Sequence, residues 1–442
     1  MVSTRQEKLI IKENGGLDIS KPPLFKKGRK GKLEKVISLA GKEKRVSRIS
    51  TSSNSIVGKN DSSHDLFELN WLKSQKWPRV LKPKRTIRSC DLFSGCGGIT
   101  MGLWEACRNY EMKLEVVMGC DLFDAAEHSF VANFKPEFFL NEPIENYVNG
   151  ELGAELTPEE ILLKERLGEI DVVVGGPPCQ GNSNLNNHTR RTDSRNELYM
   201  RMIRFIEVIQ PNIALIENVS GVMRAKQNVV QRSNEYLNNL GYVSRHGVVR
   251  GVQIGIPQTR VRHFTVAVKG GNNFSFAEVG GATLESPRPV SWAIADLLGI
   301  DAGEEIFDNP PSPGPVNQRR MDYLFEHGIY NLPNKERPPC QQKAHTYPAI
   351  YSRMWWDKPA PTLTTGFGCN GRGRFTHPKE ARVLTPHEAA RVQTFPDFFD
   401  FSIIKKRTDL HRLIGNAVPP LMATHVLTPL LGNFLRLQEV DN

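Results

Sequence analysis

The sequence lacks the features of several large protein classes. No uninterrupted apolar run reaches the ~18 residues of a membrane-spanning helix, so no span is expected. The first residues are polar and charged, without the apolar core of a signal peptide. The 442 residues include only 7 cysteines, an odd number with no Cys-x-x-Cys pair. We therefore expect no disulfide framework, no zinc ribbon and no metal site, and we predict a reducing, intracellular setting.

Excess charge of one sign is also missing from most of the chain. The net charge is +10, and residues 1–60 account for all of it with 15 Lys and Arg against 5 Asp and Glu. The total charge is therefore only weak evidence for a nucleic-acid partner, because residues 1–60 carry all of it. Residues 1–65 are rich in Lys, Ser and Gly and poor in aromatic residues, so we predict a disordered basic tail. A phosphate-binding arm or a localisation signal are the alternatives.

Strand-like and helix-like patterns alternate from residue 86 onwards. Short apolar runs predict strands at 86–93, 114–120, 170–174 and 213–217. Amphipathic patterns predict helices at 124–134, 197–209 and 227–240, and again at 385–394 and 419–431. The alternation predicts an α/β domain at 86–268, built as a doubly wound, Rossmann-like parallel sheet. Residues 270–380 are Gly- and Pro-rich and predict a smaller irregular lobe, after which residues 381–435 return to the first domain.

A glycine-rich turn follows the first predicted strand. It spans Asp91 to Gly98, where glycines permit positive φ and a close approach of the backbone to a ligand. Asp121 ends the next predicted strand, the usual place for an acidic side chain that binds ribose hydroxyls. A tight structural turn is the alternative for the glycines, but the two features together predict a cofactor that contains a nucleoside.

Two further motifs stand at predicted strand ends. Gly175-Gly176-Pro177-Pro178-Cys179-Gln180 presents a cysteine at the carboxyl end of the sheet, so Cys179 is a candidate covalent nucleophile rather than a packed small residue. Glu217 and Asn218 end the next strand, where the carboxyl group is either a general acid or base or a surface residue. Gln258, Arg260 and Arg262 alternate along one predicted strand face, which requires an anion, a polar base edge or acidic partners.

These motifs, in this order, resemble the DNA cytosine-5 methyltransferase family. Two later segments are also similar to motifs of that family: 382–396 (RVLTPHEAARVQTFP) and 413–420 (LIGNAVPP). The resemblance covers about residues 87–435 and leaves only the basic tail unmatched. It implies a Rossmann-like domain that depends on S-adenosylmethionine, with residues 270–380 as the target-recognition lobe. The expected activity is methylation of cytosine carbon 5 in duplex DNA at a specific short sequence.

The resemblance also implies a role for each motif. Cys179 would attack cytosine carbon 6, and Glu217 would stabilise protonation at N3. Asn218 would hold the loop, Arg262 would approach the base oxygen, and Arg260 would support the site or a phosphate. The target base would leave the duplex, under a polar mobile loop at 181–191. The implied catalytic residues are Cys179, Glu217, Asn218, Arg260 and Arg262.

Cofactor and DNA contacts follow from the same resemblance. The S-adenosylmethionine set is Asp91, Phe93, Gly95, Cys96, Gly97, Gly98, Asp121, Leu122, Pro177, Asn416, Ala417 and Val418. The DNA-binding set is Gln180, Ser183, Arg190, Arg191, Gln258, Thr362, Thr364, Arg372 and Arg374. One departure concerns the adenine contact, because the family's Asp-Ile pair is replaced by the sequence around Glu142. Trp355 and Trp356 could stack on bases, although core packing is the favoured interpretation.

Other classes of protein are compatible with parts of this pattern. An RNA cytosine-5 methyltransferase on the same catalytic motifs is the nearest alternative, and methyl transfer to folded RNA would identify it. A silent DNA-binding relative would lack Cys179 or Glu217, and a nicotinamide dehydrogenase would have no use for these motifs together. We expect a monomer without membrane contact, in the cytoplasm of a bacterium near its nucleoid, or in the nucleus of a eukaryote. A separately acting restriction endonuclease is an expected functional partner.

Overall fold

The fold is described from a computed structural model. It describes residues 23–28, 32–38, 44–50, 63–178, 196–224, 228–271, 274–277, 286–300, 303–342 and 349–440. Within these ranges, no helix is both long enough and apolar enough to cross a lipid bilayer.

The centre of the described chain is a seven-stranded sheet. Its strands are β4 (Thr86–Leu92), β5 (Lys113–Cys120), β6 (Phe138–Leu140), β7 (Val172–Gly175), β8 (Ile213–Val219), β9 (Tyr242–Arg250) and β10 (Val261–Lys269). They lie in the order β6-β5-β4-β7-β8-β10-β9. The pairs from β6 to β8 are parallel, whereas β10 is antiparallel to both β8 and β9. A short connection between β9 and β10 permits only the antiparallel arrangement, because a parallel pair needs a longer crossover.

Helices cover both faces of this sheet. They are α2 (Gly98–Asn109), α3 (Asp124–Phe134), α4 (Pro158–Leu167), α5 (Asn196–Ile209), α6 (Val229–Asn239) and α11 (Pro420–Val440). Side chains alternate along β7, so Val172 and Val174 pack with α2 and α11, while Val173 packs with α4, α5 and α6. The predicted doubly wound α/β architecture is thus confirmed, with strands buried on both sides.

The turn-rich segment 270–380 shares its core with the C-terminal part of the chain. Its helices in the described ranges are α7 (Val290–Ile294) and α8 (Pro315–Glu326), followed along the chain by α9 (Pro386–Val392) and α10 (Arg407–Asn416). One apolar cluster contains Val290, Leu363, Phe395 and Ile414, which come from both parts. The segment is therefore anchored on the α/β body and does not stand apart from it.

The N-terminal region contains structure where we predicted disorder. Strands β1 (Leu24–Lys27), β2 (Lys32–Ser38) and β3 (Lys44–Ser50) form an antiparallel sheet, and α1 (Ser63–Leu72) packs against it. The prediction of a disordered tail over 1–65 is wrong for these strands. Burial alternates along β3, where Arg45, Ser47 and Ile49 are buried, so one face of the sheet is turned inward.

The inner face of this small sheet joins the main core. Leu33 and Ile49 are buried in a cluster with Phe67 and Trp71 of α1, and Ile37 packs with the α2 face of the main sheet. Basic composition did not prevent folding, because the buried apolar residues of the small sheet dock on the larger domain.

Candidate functional site

The sequence motifs meet at one edge of the main sheet. Strands β4, β5, β7 and β8 end there, and β10 begins there because it runs antiparallel to β8. In open α/β sheets, the carboxyl ends of the parallel strands form the crevice in which ligands bind. The structure thereby brings the glycine-rich turn, Asp121, the Pro-Pro loop and Glu217 to one side of the molecule.

The turn after β4 has the conformation that a ligand-binding loop needs. Phe93 has φ 57°, Gly95 54° and Gly97 91°, all in the left-handed region. A side chain at Gly98 would come within 2.2 Å of the backbone oxygen of Val418. Glycine at this position therefore lets the turn that follows α10, which we call the C-terminal turn (residues 417–419), lie directly on the first residue of α2.

Two carboxyl groups flank this turn. Asp121 Oδ2 accepts a hydrogen bond of 2.8 Å from the backbone N–H of Gly95, and its Oδ1 accepts one of 3.0 Å from that of Phe123. Asp91 Oδ2 accepts a 2.5 Å bond from Thr100, whereas its buried Oδ1 has no partner among the described residues. Burial raises the pKa of Asp121, and it raises the pKa of Asp91 to about 8. Both carboxyl groups therefore place acceptor oxygens beside the turn, where a ligand could donate hydrogen bonds to them.

The C-terminal turn forms the opposite wall of this crevice. Helix α10 ends at Asn416, which is exposed, while Ala417 and Val418 are buried. The guanidinium of Arg412 lies 4.0 Å from the ring centre of Phe123, and its charge partly opposes the rise that burial causes in the pKa of Asp121. The sequence analysis missed Arg412, because one arginine on a helix resembles an ordinary solvated side chain.

Two predicted cofactor residues differ in their surroundings. The Cys96 side chain is 1% exposed within an apolar cluster, and burial raises its pKa far above the usual range. A contact of Cys96 with a ligand would therefore be made by its backbone, and the prediction that it binds the cofactor stays a prediction. Leu122, by contrast, is 65% exposed beside Asp121 and is free to cover a bound molecule.

The loop after β7 is held by the motif at the end of β8. The side-chain amide of Asn218 donates to the backbone oxygen of Pro177 at 3.3 Å, and its own oxygen accepts from Val219 at 2.9 Å. A side chain at Gly176 would stand 3.3 Å from Glu217 Oε2, so this glycine leaves room for that carboxyl group. The predicted residues Cys179, Gln180, Ser183, Arg190 and Arg191, and the predicted loop at 181–191, lie outside the described residues.

Glu217 and Arg262 form an ion pair at the centre of the edge. Arg262 Nε lies 2.7 Å from Glu217 Oε1, and the carboxyl group is 9% exposed. Burial raises the pKa of Glu217, although the charges of Arg262 and Arg260 act in the opposite direction. A carboxyl group with a raised pKa can hold a proton near neutral pH and deliver it to a base.

Gln258 and Arg260 do not face the crevice as predicted. Both precede β10, and Gln258 is fully buried with its amide bonded to Gln393 and to the backbone N–H of Leu363. The Nη atoms of Arg260 donate to backbone oxygens of Leu363, Gly415 and Asn416. The predicted DNA contact by Gln258 is therefore wrong in this structure. The contacts favour the supporting role for Arg260.

The predicted DNA contacts of the turn-rich segment divide into two groups. Thr362 and Thr364 are half-buried and Arg372 is exposed, so all three remain candidates. Arg374 is only 9% exposed, donates to the backbone oxygens of Tyr330 and Arg353, and lies 3.9 Å from the Trp355 ring. The prediction that it contacts DNA is wrong, because its guanidinium holds the segment together.

The two tryptophans in this segment have structural surroundings. Trp355 stacks on Tyr330 with ring centres 5.5 Å apart, and Trp356 packs against the main apolar cluster. Their contacts agree with the core-packing interpretation. Within the described ranges, no group of three or more His, Cys, Asp or Glu side chains could hold a metal ion.

The chain matches a family model over most of its length. Residues 87–431 match the model described as C-5 cytosine-specific DNA methylase. A type II methyltransferase of Bacillus subtilis (strain 168), M1.BsuMI, is 44% identical over 373 residues, which are 83% of this chain and 87% of the relative. The type II methyltransferase M.DdeI of Desulfomicrobium norvegicum is 28% identical over 379 residues, 75% of this chain and 86% of the relative.

Solved structures share the fold at low sequence identity. The S. pombe Dnmt2 methyltransferase superposes with a TM-score of 0.53 at 19% identity, over 80% of this chain and 99% of its own. The Entamoeba histolytica methyltransferase EhMeth superposes with a TM-score of 0.53 at 17% identity, over 78% of this chain and 98% of its own. These similarities concern the fold alone.

Proposed function

The chain belongs to the C-5 cytosine-specific DNA methylase family and is a DNA (cytosine-5) methyltransferase, and from this premise we propose how it works. It transfers a methyl group from S-adenosylmethionine to carbon 5 of a cytosine flipped out of duplex DNA. It acts at one short sequence, through a covalent bond between Cys179 and carbon 6 of the base. The observation that carries this proposal is the buried Glu217, whose pKa is raised beside Arg262 and the Pro-Pro loop.

The proposed reaction activates a ring carbon that is otherwise a weak nucleophile. The Cys179 thiolate bonds to carbon 6, the electron pair of the 5,6 double bond moves to carbon 5, and Glu217 gives its proton to N3. Bound S-adenosylmethionine supplies the methyl group as an electrophile. A base, for which we propose a water molecule, takes the proton from carbon 5, and the C–H electron pair restores the 5,6 double bond. Cys179 leaves as the thiolate, and the N3 proton returns to Glu217.

The contacts of Glu217 support this assignment. A carboxylate paired with arginine normally has a lowered pKa, whereas burial here keeps the Glu217 pKa raised. Arg262 approaches through Nε, and its Nη1 donates to its own strand at Val261 O. In this proposal Nη2 is the group of Arg262 that would meet the oxygen on cytosine carbon 2. Asn218 would hold Pro177, and with it the start of the loop that carries Cys179 (the nucleophile loop), close to Glu217.

The residues around the glycine-rich turn fit S-adenosylmethionine. The turn offers backbone without side chains, Asp121 and Asp91 offer acceptor oxygens, and Phe93 offers a partly buried aromatic face. Asp121 would bind ribose hydroxyls, and Asn416 would close the crevice from the C-terminal turn. The unpartnered Oδ1 of Asp91 supports a ligand at this place, since a buried acceptor without a donor is costly.

Duplex DNA would bind across the same edge. Flipping a base costs a few kcal/mol, which contacts to the phosphates and to the extruded base must offset. In this proposal residues 270–380 form the target-recognition lobe, with Thr362, Thr364 and Arg372 at the DNA. The nucleophile loop, with Gln180, Ser183, Arg190 and Arg191, would supply further contacts.

The cellular role follows from the relatives. M1.BsuMI and M.DdeI are named type II methyltransferases. We therefore propose that this enzyme is the modification half of a restriction–modification system, acting as a monomer in a bacterial cytoplasm. A cognate endonuclease would act separately on unmethylated copies of the same site.

Expression in a host without cytosine methylation tests the reaction directly. Genome sequencing that distinguishes 5-methylcytosine from cytosine should find methylation at every copy of one short motif. Methylation confined to cellular RNA would replace DNA by RNA as the substrate. Absence of any methylation would contradict the proposed activity.

The Cys179→Ser variant tests the covalent step. We expect turnover to be lost and binding of S-adenosylhomocysteine to remain near normal, because the cofactor crevice is built by other residues. Single-turnover methyl transfer and isothermal titration measure the two quantities. A variant that keeps a tenth of wild-type activity would refute the covalent role of Cys179.

A further inference from the structure

Three buried side chains join the turn-rich segment to the C-terminal turn. They are Gln258 and Arg260, which precede β10, and Gln393, which follows α9; we call them the carbonyl clamp. Each is at most 1% exposed, and all of their side-chain polar atoms except Arg260 Nε have hydrogen-bond partners among the described residues. None of the three takes part in the proposed chemical steps, so another reason is needed for burying so many hydrogen-bonding groups here.

One side of the clamp holds both backbone groups of Leu363. The N–H of Leu363 donates to Gln258 Oε1 at 2.9 Å, and its carbonyl oxygen accepts from Arg260 Nη1 at 2.9 Å. Thr362 and Thr364 flank this residue in the chain. The clamp therefore fixes the backbone between the two threonines that are candidates for contact with the target nucleotide.

The other side of the clamp holds the end of α10. The last carbonyls of a helix lack intrahelical partners. Gln393 Nε2 donates to the oxygens of Ile414 at 2.6 Å and Ala417 at 3.3 Å, while Arg260 donates to those of Gly415 and Asn416 at 3.3 Å. A cation at a helix C-terminus is also favoured by the helix dipole. The turn that carries Asn416 is thereby fixed.

The two sides are connected to each other. Gln258 Nε2 donates to Gln393 Oε1 at 2.9 Å, and Arg260 donates to both segments at once. A side chain at Gly415 would stand 2.5 Å from the carbonyl carbon of Thr364, so the two backbones are in direct contact. A shift of residues 362–364 therefore requires a shift of the turn at residues 415–418.

We propose that the carbonyl clamp couples binding of the target nucleotide at Thr362 and Thr364 to binding of the cofactor at Asn416 and Val418. The proposal rests on the proposed function for the identity of the two ligands. Gln258, Arg260 and Gln393 are positioning residues that act through the backbones they hold. Coupling is reciprocal, so target DNA tightens cofactor binding by the same factor by which cofactor tightens DNA binding.

The Gln393→Met variant tests the coupling. The probe is S-adenosylhomocysteine, titrated with and without a duplex that contains the methylated motif. For the wild type we expect DNA to lower the Kd by about fivefold or more. In Gln393→Met, which has similar volume but no amide, we expect this ratio to fall towards one. The KM for DNA should rise more than kcat falls, because the chemical groups are intact.

Gln318→Met is the matched control. Its amide donates to the oxygen of Ala381 at 2.7 Å and so also joins the turn-rich segment to the C-terminal part, without touching the clamp. The control should keep the wild-type ratio. If folded Gln393→Met has the wild-type ratio of the two Kd values, the proposed coupling is wrong. The proposed function is still supported in that case, provided that the wild type methylates DNA. A wild type that methylates nothing overturns both.

Hydrogen exchange of the wild type decides the case if Gln393→Met does not fold. Duplex DNA alone should slow amide exchange in residues 413–418, and S-adenosylhomocysteine alone should slow it in residues 360–365. A merely structural clamp would leave each segment unaffected by the ligand of the other. Unchanged exchange in both peptides therefore overturns the proposal.

Discussion

Two groups of buried charge in this enzyme have opposite electrostatic character. At the carboxyl edge of the main sheet, burial dominates, and it raises the pKa of Asp91, Asp121 and Glu217. Beneath the N-terminal sheet, pairing dominates instead. There Arg288 binds Asp65 and Glu68 of α1, the pKa of Glu68 is lowered, and that of Arg288 is raised.

The difference follows from how completely each carboxyl group is partnered. Glu68 contacts both Arg288 and His64, whereas Asp91 has one oxygen without a partner among the described residues. A fully paired charge fixes one element on another. A carboxyl group with fewer partners has a raised pKa, which suits acid–base chemistry, or an oxygen that can still accept a hydrogen bond, which suits cofactor binding. The first group should therefore govern rate, and the second should govern stability.

The largest expected effect is on the catalytic side. Glu217→Gln should lower kcat by about 10²-fold or more, because the variant has no carboxylic proton to give to N3. Its unfolding midpoint at neutral pH should not fall below that of the wild type, because the raised pKa of Glu217 means that its ionised form costs stability there. Single-turnover kinetics and thermal unfolding together separate the two effects. A variant with wild-type kcat would remove Glu217 from the chemistry.

The reverse outcome is expected for the N-terminal group. Arg288→Met should lower the free energy of unfolding by about 3 kcal/mol, because it leaves Asp65 and Glu68 without their cation. The kcat per folded molecule should not change. Lys113→Met, which removes an exposed pair with Glu115, is the control and should leave the midpoint in place. Equal stability of both variants would contradict the anchoring role of Arg288.

The pH dependence of stability should also have opposite signs. The lowered pKa of Glu68 stabilises the fold above the ordinary value of 4.5, and this contribution is lost as the pH falls through the folded-state pKa. The raised pKa of Glu217 costs stability above that raised value, and the cost disappears as the pH falls towards 4.5. Urea unfolding from neutral pH to well below 4.5 should show that Glu68→Gln loses less stability than the wild type in the range below 4.5. Glu217→Gln should be more stable than the wild type at neutral pH only.

The smallest effect concerns the outer face of the N-terminal sheet. Lys32 and Lys44 are exposed there, and if they contact phosphates, replacing both by alanine should flatten the salt dependence of DNA affinity. The slope should change by about 0.9 for each phosphate that the variant no longer neutralises. Lys113→Ala, an exposed lysine elsewhere, should leave the slope unchanged. Identical slopes for all three proteins would assign the N-terminal sheet to stability alone.

Deletion of the whole N-terminal region would not answer the same question. Leu33 and Ile49 are buried against Phe67 and Trp71, so removing the sheet exposes apolar core as well as removing charge. Trp71 also donates to Glu105, and Arg108 donates to the backbone oxygen of Arg48. Point substitutions on the outer face are therefore the appropriate test.

The sequence predicted those parts of the structure that depend on local pattern. Apolar runs and the motifs at their ends were sufficient for the parallel strands β4, β5, β7 and β8 and for the position of Glu217. Strands β6 and β9 and the antiparallel direction of β10 were not predicted. The three N-terminal strands were missed because their burial depends on a separate domain. Their own composition resembles that of an unfolded chain.

The roles of the two arginines in the Gln258–Arg262 motif illustrate the limit. Arg260 and Arg262 are the same residue type two positions apart, and sequence alone assigned both to the site. Only the partners distinguish them, since one meets a carboxyl group and the other meets backbone carbonyls from residues more than a hundred positions away. Long-range partners of this kind leave no periodic signal. Gln393 lies within the 382–396 motif, but the sequence indicates no role for it, because its partners Gln258, Ile414 and Ala417 are also distant in the chain.

The contact between Gly98 and Val418 has a consequence for synthesis. The glycine-rich turn is translated early, but the wall that closes over it comes from the far end of the polypeptide, where α11 packs along α2. A nascent chain on the ribosome therefore holds half of a cofactor crevice until residues beyond Asn416 have emerged. A product truncated before Asn416 would lack this wall, so in the proposed function it should not bind the methyl donor.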